Sequence, residues 1–257
     1  MGTFATRQEG RVLHLRFGAP SSLNLMTDEW FADLERALRA AGDDPQVRSV
    51  CLSAEGRSFS GGGDLKGFLA GPWREGVLSS GLARCLELLE RFDKPIVAAV
   101  HGAAIGGGVT VLLHCDFVYA EPETRFQLPF TRIGIVPELG STFLLPQFAG
   151  QRLALELVLL GRPFDAATAL RAGIVNEVTA AGQARARAEE TAGALAQLPP
   201  GSLRSAKRLI KSARGGDYAT AWRDECRALE KCLAGEEVRE ACRAFLEKRE
   251  ADFSRFQ

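Results

Sequence analysis

The stretch Lys94-Pro95-Ile96-Val97-Ala98-Ala99-Val100-His101-Gly102-Ala103-Ala104-Ile105-Gly106-Gly107-Gly108 decides how the chain is read. Pro95 to Val100 is almost wholly apolar, the pattern of a strand covered on both faces of a parallel sheet. Three consecutive glycines follow and open a helical pattern. A second cluster, Phe59-Ser60-Gly61-Gly62-Gly63-Asp64-Leu65-Lys66, follows a strand over Val47 to Ser53 after a short charged loop. Both clusters are expected where a strand hands over to a helix. The first N–H groups of a helix have no intrahelical acceptor and can bind negative charge. Glycine there lets a ligand approach the backbone closely.

Outward from these clusters the pattern alternates. Arg11 to Phe17 reads as a strand with Leu13, Leu15 and Phe17 on one face. Thr27 is placed to cap a helix with apolar positions Trp30, Phe31, Leu34, Leu38 and Ala41, ended by Gly42. Leu82 to Phe92 reads as helix, and Cys115 to Ala120 and Gly173 to Val178 as short strands. Strand–helix–strand alternation argues for an α/β fold with a parallel or mixed sheet. The composition shifts at Leu198-Pro199-Pro200-Gly201. Helices are expected afterwards over Ser202 to Ala213, Tyr218 to Leu233 and Glu236 to Phe253. The organisation expected is an α/β core over 1–198 and a helical region over 199–257.

Bulk properties exclude several classes. The 257 residues are 46% hydrophobic and 25% charged, an ordinary globular balance. Thirty-two basic and 32 acidic residues cancel, so no nucleic acid is expected as a partner. No apolar run approaches the roughly 20 residues of a membrane span, and no membrane partner is expected. The first residues carry no signal-peptide core, so a cytoplasmic setting is expected. The six cysteines include no Cys-x-x-Cys pair and only three histidines occur, so no metal site is expected. The cysteines read as small buried hydrophobes, and His14, His101 and His114 as structural.

The glycine clusters admit several readings. Gly61, Gly63 and Lys66 miss the dinucleotide spacing Gly-x-Gly-x-x-Gly, as do Gly106, Gly108 and Val111. Neither cluster ends in the Gly-Lys-Ser/Thr of a phosphate-binding loop. Tight turns with close helix–strand packing remain one reading of a single cluster. Two clusters at equivalent junctions favour a pair of converging N–H donors, as enolate chemistry requires.

The motifs resemble those of the crotonase superfamily, the enoyl-CoA hydratases and isomerases. The matching stretches are Phe59 to Lys66, Lys94 to Gly108, Cys115 to Ala120, Gly134-Ile135-Val136-Pro137, Gly161-Arg162-Pro163-Phe164, Ala172 to Val175 and Phe245 to Phe253. The likeness runs from about Arg11 to the C-terminus. It implies a ββα spiral core with a C-terminal helical trimerisation region, assembled as a homotrimer or dimer of trimers. The substrate implied is an acyl-CoA thioester, as in fatty acid metabolism, with no cofactor beyond the CoA that is part of it. The backbone N–H groups of Gly63 and Gly107 would form the oxyanion hole. Ser22, Leu23, Ser60, Gly61 and Leu65 would touch adenine and pantetheine. Lys66 and Lys248 would lie near the CoA phosphates, the latter from a neighbouring subunit.

The resemblance also shows a departure. Hydratases of this superfamily carry one glutamate two residues after the second glycine cluster and another four residues before the Gly-Ile-Val-Pro stretch. These positions are Thr110 and Phe130 here, and neither side chain can act as a base. Glu138, just before a helix start at Ser141, resembles the base of the Δ3,Δ2-enoyl-CoA isomerases. An apolar lining from Phe130 and Leu139 would raise its pKa. Read without the resemblance, Glu138 is a solvated loop residue. Asp64 reads as a helix cap beside the site. Phe68, with Leu69 and Trp73, reads as acyl-pocket lining or core. Arg204, Lys207, Arg208, Lys211 and Arg214 read as a solvated face opposite Leu203, Ala206 and Ile210. The functions left standing are an isomerase using Glu138, a hydratase or other lyase with altered acids, and a non-catalytic acyl-CoA-binding paralogue.

Overall fold

The computed structural model describes residues 3–19, 22–66, 76–213 and 218–253. The chain opens with an antiparallel hairpin of β1 (Phe4–Glu9) and β2 (Val12–Phe17). The short β3 (Leu25–Met26) leads into α1 (Asp28–Asp43). The order long strand, short strand, helix then recurs. β4 (Ser49–Ala54) and β5 (Gly62–Gly63) precede a 3₁₀ turn at Val77–Ser79 and α2 (Gly81–Arg91). β6 (Ile96–Val100) and β7 (Ala103–Ile105) precede α3 (Gly107–Thr110), which runs on into a 3₁₀ turn at Val111–His114. β8 (Phe117–Ala120) and β9 (Arg125–Gln127) precede a 3₁₀ turn at Phe130–Ile133. There follow α4 (Ser141–Ala149), α5 (Gln151–Leu160), β10 (Phe164–Asp165), α6 (Ala166–Arg171), β11 (Glu177–Val178) and α7 (Ala184–Gln197). The described chain closes with α8 (Pro200–Ser212), α9 (Tyr218–Ala234) and α10 (Glu236–Glu247).

The long strands form one six-stranded sheet in the order β1-β2-β4-β6-β8-β11, parallel throughout except for the hairpin. The short strands pair separately as β3-β5 and as β10-β9-β7. A bridge between Ser60 and Ala104 ties the two small sheets together. Each turn of this spiral ends a short strand beside the corresponding end of its neighbour, and the glycine clusters occupy two such ends. The strand β6 is buried along its whole length, as its apolar composition requires. One face of the sheet packs on α7, where Ala184, Ala188, Ala192 and Ala196 recur every four residues against Val12, Cys51, Val97, Ala99 and Tyr119. The other face carries the larger core, in which Phe17, Trp30, Phe31 and Phe59 stack edge to face.

Several expectations need correction. β1 escapes sequence reading because it is an edge strand exposed from Ala5 to Glu9 and lacks apolar alternation. Between Gly173 and Val178 only Glu177 and Val178 form a strand; the preceding residues turn out of α6. The last helix stops at Glu247, short of Phe253, because Lys248 takes a left-handed conformation, φ 55°, and closes its end. The first glycine cluster does not merely precede a helix: Gly62 and Gly63 are themselves β5.

The basic face of α8 is only partly solvated: Arg204 and Arg208 are exposed, whereas Lys207 and Lys211 turn inward. Lys207 donates to the Lys94 carbonyl at 2.7 Å and to Asp116 at 2.6 Å, and Arg204 pairs with Asp93 at 2.8 Å. Lys211 donates to the Leu89 carbonyl at 2.8 Å. Leu209 and Ile210 are instead 69% and 71% exposed. The cause is the end of α2, whose last carbonyls lack intrahelical donors and accept ammonium groups. Lys94 serves the end of α1 in the same way, donating to the Ala41 and Asp44 carbonyls. Arg214 lies outside the described residues.

Candidate active site

The two glycine clusters meet. The Ser60 N–H donates to the Ala103 carbonyl and the Ile105 N–H to the Ser60 carbonyl, which lays the segments side by side. A Cβ on Gly62 would sit 2.9 Å from the Ile105 carbonyl oxygen, and one on Gly108 would sit 2.9 Å from Cβ of Ser60. Gly62 also has φ +89°, a conformation that side chains rarely adopt. β5 pairs in parallel with β3, putting Gly63 opposite Met26. Gly107 is the first residue of α3, the position at which an N–H has no intrahelical acceptor. Beside Gly107, a Cβ would lie 3.3 Å from the Met26 sulfur, 3.8 Å from the tip of the Phe31 ring and 3.8 Å from Oε1 of Glu138.

Glu138 is therefore not a solvated loop residue. It is 8% exposed, and its Oε1 accepts a 2.6 Å hydrogen bond from the Thr110 hydroxyl. Its Oε2 is buried with no hydrogen-bond partner among the described residues. Burial pushes its carboxyl up to about 8; the Thr110 hydroxyl acts against the rise and the Glu225 carboxylate adds to it. Thr110 itself is completely buried, and Phe130, 3% exposed, approaches Gly106. Leu139, 1% exposed, has φ +57°, and Gly140 has φ +66°. A left-handed conformation costs a bulky residue about 1–2 kcal/mol. It is held by His114, whose Nε2 hydrogen bonds the Leu139 carbonyl at 2.8 Å, and by Glu225, whose Oε2 accepts from the Gly140 N–H at 2.6 Å.

The other residues expected at the site are spread around this centre. Ser60 is completely buried; its hydroxyl donates to the Asn24 carbonyl at 2.7 Å and accepts from the Gly62 N–H at 3.1 Å. Gly61 donates to the carbonyl of Leu23, which is 62% exposed, and the Ser22 hydroxyl accepts from the Asn24 N–H. Asp64 accepts from the Lys66 N–H at 3.0 Å, Leu65 packs partly buried on the core, and Lys66 is exposed. Phe68, Leu69 and Trp73 lie outside the described residues. Lys248 caps the end of α10 in a left-handed conformation. The start of α10 packs at Gly134, whereas Lys248 ends that helix about 18 Å further on. Met26, Phe31, His114 and Glu225 join the site without having been singled out for it. No local sequence signal marks them, since two lie in core patterns and Glu225 is 85 residues from Gly140. Among the described residues, no group of three or more His, Cys, Asp and Glu side chains is placed to hold a metal ion.

The raised Glu138 carboxyl links pH to stability. Folding favours its protonated form, so its contribution is complete below about 4.5 and is lost as pH rises toward about 8. Glu225, pushed up by burial to about 7, acts in the same direction. Glu138→Gln removes one of the two titrations. Denaturant unfolding is expected to show the variant more stable than wild type by roughly 3–5 kcal/mol at pH 9, with little difference at pH 4. Equal stabilities at pH 9 contradict the buried, unpaired carboxylate.

The chain is similar to known proteins over nearly its whole length. A family model described as enoyl-CoA hydratase/isomerase matches residues 7–255. The chain is 30% identical over 250 residues to a short-chain-enoyl-CoA hydratase of Clostridium acetobutylicum, covering 95% of each. It is likewise 30% identical to a crotonyl-CoA hydratase of Syntrophomonas wolfei, covering 96% of this chain and 95% of that one. The crystal structure of an enoyl-CoA hydratase/isomerase from Pseudoalteromonas atlantica superposes with a TM-score of 0.91 at 37% identity, covering 98% of this chain and 99% of the other.

Proposed function

This chain belongs to the enoyl-CoA hydratase/isomerase family, and from that premise we propose that it shifts a double bond, converting a Δ3- to a Δ2-enoyl-CoA thioester with Glu138 as proton shuttle. The observation that carries the reading is the buried Glu138 carboxyl beside Gly107, with Oε2 unpartnered among the described residues. In the reaction proposed, the thioester oxygen accepts from the N–H groups of Gly63 and Gly107. The Glu138 carboxylate takes a proton from C2, and the electron pair left behind delocalises onto the thioester oxygen as a dienolate. The same carboxyl returns the proton to C4, leaving the double bond between C2 and C3. A 1,3-shift needs one group that alternates between base and acid, and a pKa near working pH suits both roles. Met26, Phe31 and Phe130 surround the centre with apolar and aromatic groups and disfavour a nucleophilic water there. No cofactor takes part, since CoA belongs to the substrate.

The relatives' names favour a second reading, water addition to a 2-enoyl-CoA. Against it stands the pair Thr110 and Phe130 at the positions where the family resemblance implies the hydratase acids. A third reading is acyl-CoA binding without turnover. The test is spectroscopic. Purified enzyme given a 3-enoyl-CoA should build up the absorbance of the conjugated thioester, and given a 2-enoyl-CoA should not bleach it. Bleaching supports the hydratase; tight acyl-CoA binding with neither change supports the binding protein.

Thr110 should tune the base. Its hydroxyl favours the carboxylate, so Thr110→Val should shift the alkaline rise of kcat upward by about one pH unit. Turnover at neutral pH should fall by up to about tenfold, and an unmoved profile sinks the idea. We also expect a cytoplasmic homotrimer or dimer of trimers. No described helix is long and apolar enough to cross a membrane. The exposed Leu209 and Ile210 of α8 and Phe245 and Leu246 of α10 offer apolar surface for assembly.

A further inference from the structure

Helix α4 begins two residues after Leu139, and its start has an unusual cap. The N-cap residue is Gly140, which has no side chain to satisfy the first N–H groups. That role falls to Glu225 on α9. Its Oε2 accepts from the Gly140 N–H at 2.6 Å, and its Oε1 from the Thr142 N–H at 2.9 Å and the Thr142 hydroxyl at 2.7 Å. The acidic group is 7% exposed. An N-cap carboxylate on a surface helix comes from the N-cap residue itself; here it comes from 85 residues away and lies buried. One of these bonds holds Gly140 and two hold Thr142, so the clamp acts directly after the left-handed Leu139-Gly140 pair that follows Glu138.

We infer that Glu225 is a positioning residue for the Glu138 base: it clamps the start of α4 and brings a second buried carboxyl to Gly140, two residues from Glu138. The catalytic consequence rests on the isomerase reading; the clamp itself does not. The groups around the pair are few. Glu138 comes from the loop before α4, and Cys226 adjoins Glu225 on α9. His114 and Tyr218 meet with ring centroids 6.5 Å apart. Glu230, further along α9, turns to the Val77 N–H, and the buried Glu240 of α10 turns to Arg249. Neither Glu138 nor Glu225 has a cationic partner among the described residues, and the Glu225 charge adds to the rise that burial imposes on the Glu138 carboxyl.

The test uses Glu225→Gln, which keeps the shape, and Glu225→Ala, which removes the clamp. Thermal melts first establish that each variant is folded at assay temperature. Glu225→Ala should lower kcat for a 3-enoyl-CoA roughly 100-fold, the scale of a misplaced catalytic group, with KM little changed. In Glu225→Gln the Glu138 carboxyl should titrate measurably lower than in the wild type, because the nearby Glu225 charge is gone. Infrared difference titration of the substrate-free enzyme, assigned with Glu138→Gln, reads that shift without any turnover. A lowered Glu138 titration in Glu225→Gln, with a wild type that isomerises nothing, supports the inference and overturns the isomerase reading. An unshifted titration in Glu225→Gln together with unchanged kcat in both variants overturns the inference. Should Glu225→Ala fail to fold, the titration of Glu225→Gln decides alone.

Discussion

Glu138→Gln is expected to lower kcat for double-bond migration by about a thousandfold or more. The amide is isosteric with the carboxyl. Its oxygen can still accept from the Thr110 hydroxyl, which donates at 2.6 Å in the wild type. The loop, the left-handed Leu139 and the apolar surroundings should therefore persist, and KM should stay close to the wild-type value. What disappears is the only group proposed to carry the proton between C2 and C4. The loss is expected together with increased stability at alkaline pH, because the buried charge is gone. A protein that becomes more stable and less active on the same substitution is the mark of a group held in an unfavourable environment for chemistry. Near wild-type turnover in this variant would remove Glu138 from the mechanism.

Gly62→Ala is expected to be nearly as damaging by a different route. The new Cβ would meet the Ile105 carbonyl oxygen at 2.9 Å, and the backbone there has φ +89°. A backbone oxygen cannot swing aside as a flexible side chain can. Strain and overpacking of this kind cost about 2–4 kcal/mol. The displacement would fall between the two segments whose N–H groups are proposed to share the thioester oxygen. Misaligning one oxyanion donor should cost a further hundredfold in kcat. Assayed on the folded fraction, Gly62→Ala should therefore lose activity beyond its loss of stability. Activity that simply follows the folded fraction would show that the two clusters serve packing only.

Much of this architecture was legible in the sequence because its signals are local. The apolar run Pro95 to Val100 announced a strand covered on both faces, and Thr27 does cap α1, its side chain accepting from the Trp30 N–H. Glu138 was singled out only because the resemblance implies carboxylates at Thr110 and Phe130, where none stands; its burial beside Gly107 comes from the fold. Features that depend on distant partners were not legible. The basic residues of α8 have the spacing of a solvated face, yet Lys207 and Lys211 turn inward to carbonyls that only the fold supplies. Glu225 looks like any helical glutamate until α9 packs against α4. β1 is invisible because an edge strand needs no buried face beyond its partner β2.

The proposed reaction moves a proton and adds no water. The most direct measurement is the mass of the product formed by the wild-type enzyme from a 3-enoyl-CoA thioester. The expected product has unchanged mass and carries the conjugated double bond, with no hydroxyacyl-CoA accumulating. A product heavier by one molecule of water, or no conversion at all, contradicts that reaction.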